Sequence, residues 1–174
     1  MGVGNENGVT KRQSISLTAP EAAELLRTKL AQAASDSRSS CLDTALDNWT
    51  QALGLALQLG PAPAEQALEA VLEEARRLSR CRDAQGLSAL GPTLTGLVTQ
   101  MREARALPPT AVMEAWATLV SDVGIMIGQV GLALDLPRDR RRGLLDNART
   151  RATFVDEATE GRFGLSVWLA ELRS

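Results

Sequence analysis

Cys41 and Cys81 are the only thiols in a chain of 174 residues that holds no histidine and no tyrosine. Histidine is the usual general acid and base near neutral pH and a frequent partner in metal and nucleophile sites. Such chemistry must here be assembled from carboxylates, serine, lysine and arginine, if it exists at all. Two thiols can still form a redox pair. Both lie 20 residues from Pro61, where Gly60-Pro61 turns the chain, so an antiparallel hairpin brings them to one end. A disulfide needs Cα atoms within about 7 Å, whereas packed helix axes lie about 8–10 Å apart. Two inert thiols in a reducing cytosol are therefore the alternative to a redox pair or switch.

The second chemical feature is a run of arginines. Arg138, Arg140, Arg141, Arg142, Arg149 and Arg151 stand against only Asp139 and Asp146, a local excess of +4, and the same predicted helix ends in Asp156, Glu157 and Glu160. That order opposes the helix dipole, which favours anions at the N-terminus and cations at the C-terminus. Helix stability alone did not select it. Guanidinium clusters suit bidentate contact with carboxylates or phosphates, so the run reads as a candidate partner-binding edge; a solvated face with internal ion pairs is the plainer alternative. Few aromatics lie nearby, which argues against base stacking of the single-strand kind.

Other signatures are missing from the sequence. There is no glycine-rich loop followed by a P-loop lysine, no nucleophile elbow, and no Glu-x-x-His pair for a carboxylate-bridged metal site. No cofactor and no metal are expected. The chain is near neutral, with a net charge of −2, so its whole surface is not a nonspecific nucleic-acid binder.

These side chains need a scaffold, and the composition specifies an all-α one. Leucine and alanine dominate, aromatics are 3%, and β-branched runs are few. Residues 1–17 are rich in Gly and Asn without a period and read as a disordered tail; residues 18–174 read as one helical domain. Thr18-Ala-Pro-Glu21 is a capping box opening the first helix, and Ser40 to Asp43 reads as the cap of the second. A third helix starts near Pro63, with Glu73–Arg77 as a surface pair. Asp83 opens a fourth, expected to bend at Gly91-Pro92, and Pro108-Pro109 separates it from a fifth, about 109–135. A sixth follows Pro137 to about Thr159, and a short last one carries Trp168. The expected architecture is an antiparallel bundle of six to seven helices around the central fifth.

That fifth helix is apolar almost all round. Trp116, Val120, Val123, Ile127, Val130 and Leu134 make one stripe; Ala117, Ser121, Gly124, Gly128 and Gly131 make a second, of small residues. Interior glycines cost about 1 kcal/mol each relative to alanine, so close helix approach must compensate, in the core of a monomer or along a homo-oligomer seam. Thr118, Asp122 and Gln129 form a thin polar edge expected to face solvent, and a buried carboxylate beside Asp122 is what an enzyme would require. The uncharged run from Val123 to Leu134 is too short to span a bilayer, so no transmembrane segment is expected. With no apolar signal at the N-terminus, the expectation is a cytoplasmic protein.

The expected function is a non-catalytic helical interaction module, a self-associating adaptor, regulator or small complex subunit, whose partner is a protein or a second copy of the chain. The alternatives are a nucleic-acid-associated subunit contacting phosphates through Arg138 to Arg151, and an amphipathic coat protein on a lipid or polymer surface.

Overall fold

The computed structural model describes residues 17–172, all helix and connecting turns, with no strand among the described residues. The tail expected over residues 1–17 falls outside them except for Leu17. Seven α-helices follow one another in this stretch: α1 (Ala19–Arg38), α2 (Leu42–Leu59), α3 (Pro61–Arg80), α4 (Ala84–Glu103), α5 (Ala111–Leu134), α6 (Arg142–Ala158) and α7 (Leu165–Glu171). A single 3-10 turn, Arg138–Arg140, precedes α6.

Local chemistry sets most of these boundaries. Thr18 Oγ1 accepts from Glu21 N at 3.4 Å while Thr18 N donates to Glu21 Oε2 at 2.8 Å, the reciprocal capping box. Asp83 and Thr110 cap α4 and α5 by accepting from Gly86 N and Met113 N. The second helix departs from expectation. Its N-cap is Cys41, which makes no side-chain cap bond, and Ser40 takes a left-handed φ of 62° in the turn before it. The third begins at Pro61, directly after Gly60, rather than at Pro63. Pro92 lies inside α4, which runs unbroken through it.

Central α5 organises the bundle. Val120, Val123, Ile127 and Val130 are fully buried, and α5 touches α2, α3, α4 and α6, with α4 its most extensive neighbour. Its 24 residues are long and apolar enough to cross a membrane by length and composition, because the apolar stretch continues N-terminally past Asp122. In this fold 56% of the most apolar window is packed inside, as for the core helix of a bundle.

The glycine stripe of α5 meets α4 of the same chain. A Cβ placed on Gly91 would stand 2.5 Å from both Gly124 O and Gly128 N, and one on Gly131 would stand 2.6 Å from Ser88 Oγ. The two backbones thus touch at positions where only glycine fits. Of the two compensations, the contact seen is the one inside a single chain. Gly124 and Gly131 are buried against α4, Ala117 is buried, and Ser121 and Gly128 are half-buried, so the stripe is largely filled within one molecule.

A polar knot ties α1 to α3. Glu74 is only 7% exposed. It accepts from Ser37 Oγ and from Arg77, whose Nη2 lies 2.8 Å from Oε1, while Arg77 also reaches Ser37 Oγ at 2.7 Å. The hydrogen bond to Glu74 raises the Arg77 pKa above its ordinary value against the opposing effect of burial. The surface pair expected between Glu73 and Arg77 is replaced by Glu73–Arg76 at 3.4 Å and Glu74–Arg77. At the far end of the chain α7 is docked from both sides. Asp156 accepts from Leu165 N and Ser166 N, and Trp168 Nε1 donates to Ser79 Oγ at 3.2 Å.

Candidate functional site

Aromatic side chains are scarce enough here for each to be placed. Trp49, Phe163 and Trp168 are 2%, 5% and 5% exposed and belong to the core. The other two, Trp116 on α5 and Phe154 on α6, are half-buried and 58% exposed. Both line the same groove between these helices, opposite the face of α6 that carries Leu145, Ala148 and Val155 into the core.

The groove has two halves of different character. Its more apolar half, about 590 Å³, is walled by Val112, Ala115, Trp116, Leu119, Phe154 and Ala158 together with Thr118, Thr159, Glu160 and Arg162. Thr118 and Phe154 also line the next half, about 520 Å³, whose other walls are Asp122, Gln129, Asn147, Thr150 and Arg151. Both volumes are in the range of small-molecule sites. In the polar half Arg151 Nη1 lies 2.8 Å from Asp122 Oδ1, joining α6 to α5, with Asp122 17% exposed. Gln129 Oε1 is buried with no hydrogen-bond partner among the described residues, a condition that few native buried polar atoms tolerate. Of the polar edge, Thr118 is exposed, while Asp122 and Gln129 are half-buried and line this open cleft beside α6.

The six candidate arginines separate. Arg141 turns back to α5, its Nε donating to Leu136 O at 2.9 Å and its Nη2 reaching Leu134 O at 3.5 Å. It thus satisfies carbonyls at the end of α5. Arg151 holds Asp122. Arg138, Arg140, Arg142 and Arg149 are exposed around the 3-10 turn and the first half of α6.

Both cysteines are exposed free thiols at helix ends, Cys41 before α2 and Cys81 after α3, and no disulfide joins them. Among the described residues no group of three or more His, Cys, Asp or Glu is placed to hold a metal ion. A second depression, about 680 Å³, runs along the outside of α4 and α5 past Pro92, Gly96, Ile125, Gly128 and Leu132, with Ser88, Thr95, Thr99, Gln100 and Gln129 also in its walls. Sequence reasoning missed the groove between α5 and α6. The available signal was Phe154, which stands off the apolar stripe of its own helix. No protein-family model, curated protein or solved structure matches the chain.

Proposed function

We propose that this protein is a non-catalytic helical binding module whose ligand enters the groove between α5 and α6. One observation carries the reading: in a chain with five aromatic residues, Phe154 is the one left exposed, and it lines one groove with Trp116, which is half-buried and packs against the core. Aromatic side chains offer the largest apolar contact per residue, and leaving them at the surface forgoes their burial unless a ligand supplies it. The groove's half-buried carboxylate, Asp122, is paired with Arg151, and its remaining polar groups are amides, hydroxyls and the exposed Glu160 and Arg162. That inventory suits recognition better than proton transfer.

The neutral dye Nile red tests this on the full chain. Native protein is expected to bind it saturably with a blue-shifted emission. Ala158→Trp, which fills the apolar half from an exposed position, is expected to weaken binding at least tenfold while leaving the helical circular dichroism intact. Absence of saturable binding, or equal binding by the filled variant, overturns the reading.

A second surface is favoured by the four exposed arginines, which form a docking edge for an acidic protein. Arg138/Arg140/Arg142→Glu leaves the clasping Arg141 and Arg151 untouched. A poly-glutamate peptide is expected to bind the native chain at about 50 mM salt, to weaken steeply as salt rises, and to lose the variant. Tighter binding of duplex DNA than of the peptide would instead favour the phosphate-contacting alternative, and binding of neither removes this surface from consideration.

A further inference from the structure

We infer that the depression on the outside of α4 and α5 is filled by a second copy of this chain, in an antiparallel two-fold dimer. This goes beyond the groove between α5 and α6 and rests on a different side of α5, so either reading can fail without the other.

Charge is the first argument. The chain is 23% charged, yet Ala84 to Met101 contains no Asp, Glu, Lys or Arg, and Ala115 to Leu134 contains only Asp122. The equally long α1 and α3 carry six and seven charged residues. This stretch is not simply hidden, because Pro92, Thr99 and Gln100 are exposed and Leu132 is 55% exposed. Depletion of charge marks the core of an interface, not an ordinary solvated surface. A two-fold contact lays a patch on its own copy, and a patch of one sign repels itself. This face carries no sign. Its polar groups are hydroxyls and amides, and an amide such as Gln100 both donates and accepts, so it pairs with the same group of a second copy. A face made for lipid is built differently, from large apolar side chains beside Lys and Arg.

The glycines of α4 and α5 supply the second. Each interior glycine costs about 1 kcal/mol relative to alanine. Gly91, Gly124 and Gly131 have a reason within the chain, since a Cβ on them would meet atoms at 2.5, 2.7 and 2.6 Å. Gly96 and Gly128 have none. Nothing lies within 4 Å of a Cβ on Gly96, and the nearest atom to one on Gly128 is Pro92 Cδ at 3.8 Å. Both line the outer depression. Close approach of another backbone from outside gives these two the reason the other three find inside.

Shape is the third. Ser121, Ile125, Gly128 and Leu132 recur at helical spacing in one line along α5, on the side away from the buried Val123 and Val130. Small and large residues alternate along it. Laid antiparallel on a second copy, Ile125 falls over Gly128 and Leu132 over Ser121, and the reciprocal pairs repeat across the axis, large against small throughout. The uncharged stretch of α4 rises roughly 27 Å, and two packed helices present a face roughly 20 Å wide. Two such faces bury about 1,000 Å², the lower bound for a specific interface, so the dimer is reversible.

Sedimentation equilibrium of the full chain tests this. The native chain is expected to dimerise with a Kd on the order of 10 μM. Gly96→Ala/Gly128→Ala is expected to weaken the dimer about tenfold or more while the dilute monomer melts at an equal or higher temperature, a combination that unfolding cannot produce. Leu132→Lys sets a charge into the face and is expected to leave the protein monomeric. Register is read by cross-linking in a Cys41→Ser/Cys81→Ser background: Ser121→Cys mixed with Leu132→Cys is expected to give the mixed disulfide-linked dimer in preference to either variant alone. A native chain that stays monomeric to hundredfold above that Kd, a dimer indifferent to both face variants, or Ser121→Cys cross-linking preferentially to itself overturns the inference. A monomer that sediments with phosphatidylcholine vesicles overturns it as well, and assigns the face to lipid.

Discussion

Gly91→Ala is expected to destabilise the protein by about 2–3 kcal/mol, although the same change in an ordinary helix interior stabilises by about 1 kcal/mol. The reversal comes from what the new methyl group would meet. Gly124 O, Gly128 N and Gly128 Cα lie 2.5, 2.5 and 2.8 Å from it, and all three are backbone. No side chain can rotate away, so α4 would have to retreat from α5 and open contacts along the rest of the interface. Gly96, one and a half turns further along α4, has open space at its Cβ position. Gly96→Ala is accordingly expected to gain about 0.5–1 kcal/mol. Urea midpoints of the two variants should move in opposite directions. Midpoints that move together would show that the helices do not touch at Gly91.

Trp168→Ala is expected to cost about 3–5 kcal/mol, the range for emptying a large aromatic site. The indole is 5% exposed, and its Nε1 donates to Ser79 Oγ on α3. Its helix, α7, has only seven residues, too few to hold helical structure on their own. Docking through Leu165, Trp168 and Leu169, with Asp156 capping the first turn, is what keeps it folded. Hydrogen exchange on the variant should therefore show α7 amides unprotected under conditions where those of α5 remain closed. Trp168→Phe keeps most of the apolar contact and is expected to lose about 1 kcal/mol for the missing hydrogen bond. Protected α7 amides in the alanine variant, or a cost below about 1 kcal/mol, would contradict this account of how the end of the chain is held.

What could be read from the residues alone was what neighbours in sequence decide. The capping box at Thr18, the cap at Asp83, the stop at Gly60-Pro61 and the apolar period of α5 are local patterns, and the structure contains all of them. What escaped was set by partners distant along the chain. Glu73 and Glu74 have the same local context, yet only Glu74 is buried, because Ser37 approaches it from α1. Gly91 looks like half of a proline bend until Gly124 and Gly128 are brought against it from 33 and 37 positions away. Asp122 lies on a polar edge of its own helix, and only the passage of α6 overhead, with Arg151 reaching across, converts that edge into a cleft. The groove belongs to neither helix singly. Its one sequence trace was an aromatic residue facing away from the stripe that buries the rest of α6.

The glycine contact between α4 and α5 also has a mechanical meaning. Where two backbones abut, no rotamer change can absorb a displacement, so that junction is stiff. The junction of α5 with α6 near the groove is made through side chains, Asp122 to Arg151 among them, and side chains can re-pack as packed helices shear by small amounts. Compliance therefore resides on the α6 side, while α4 and α5 form a stiff anvil behind it.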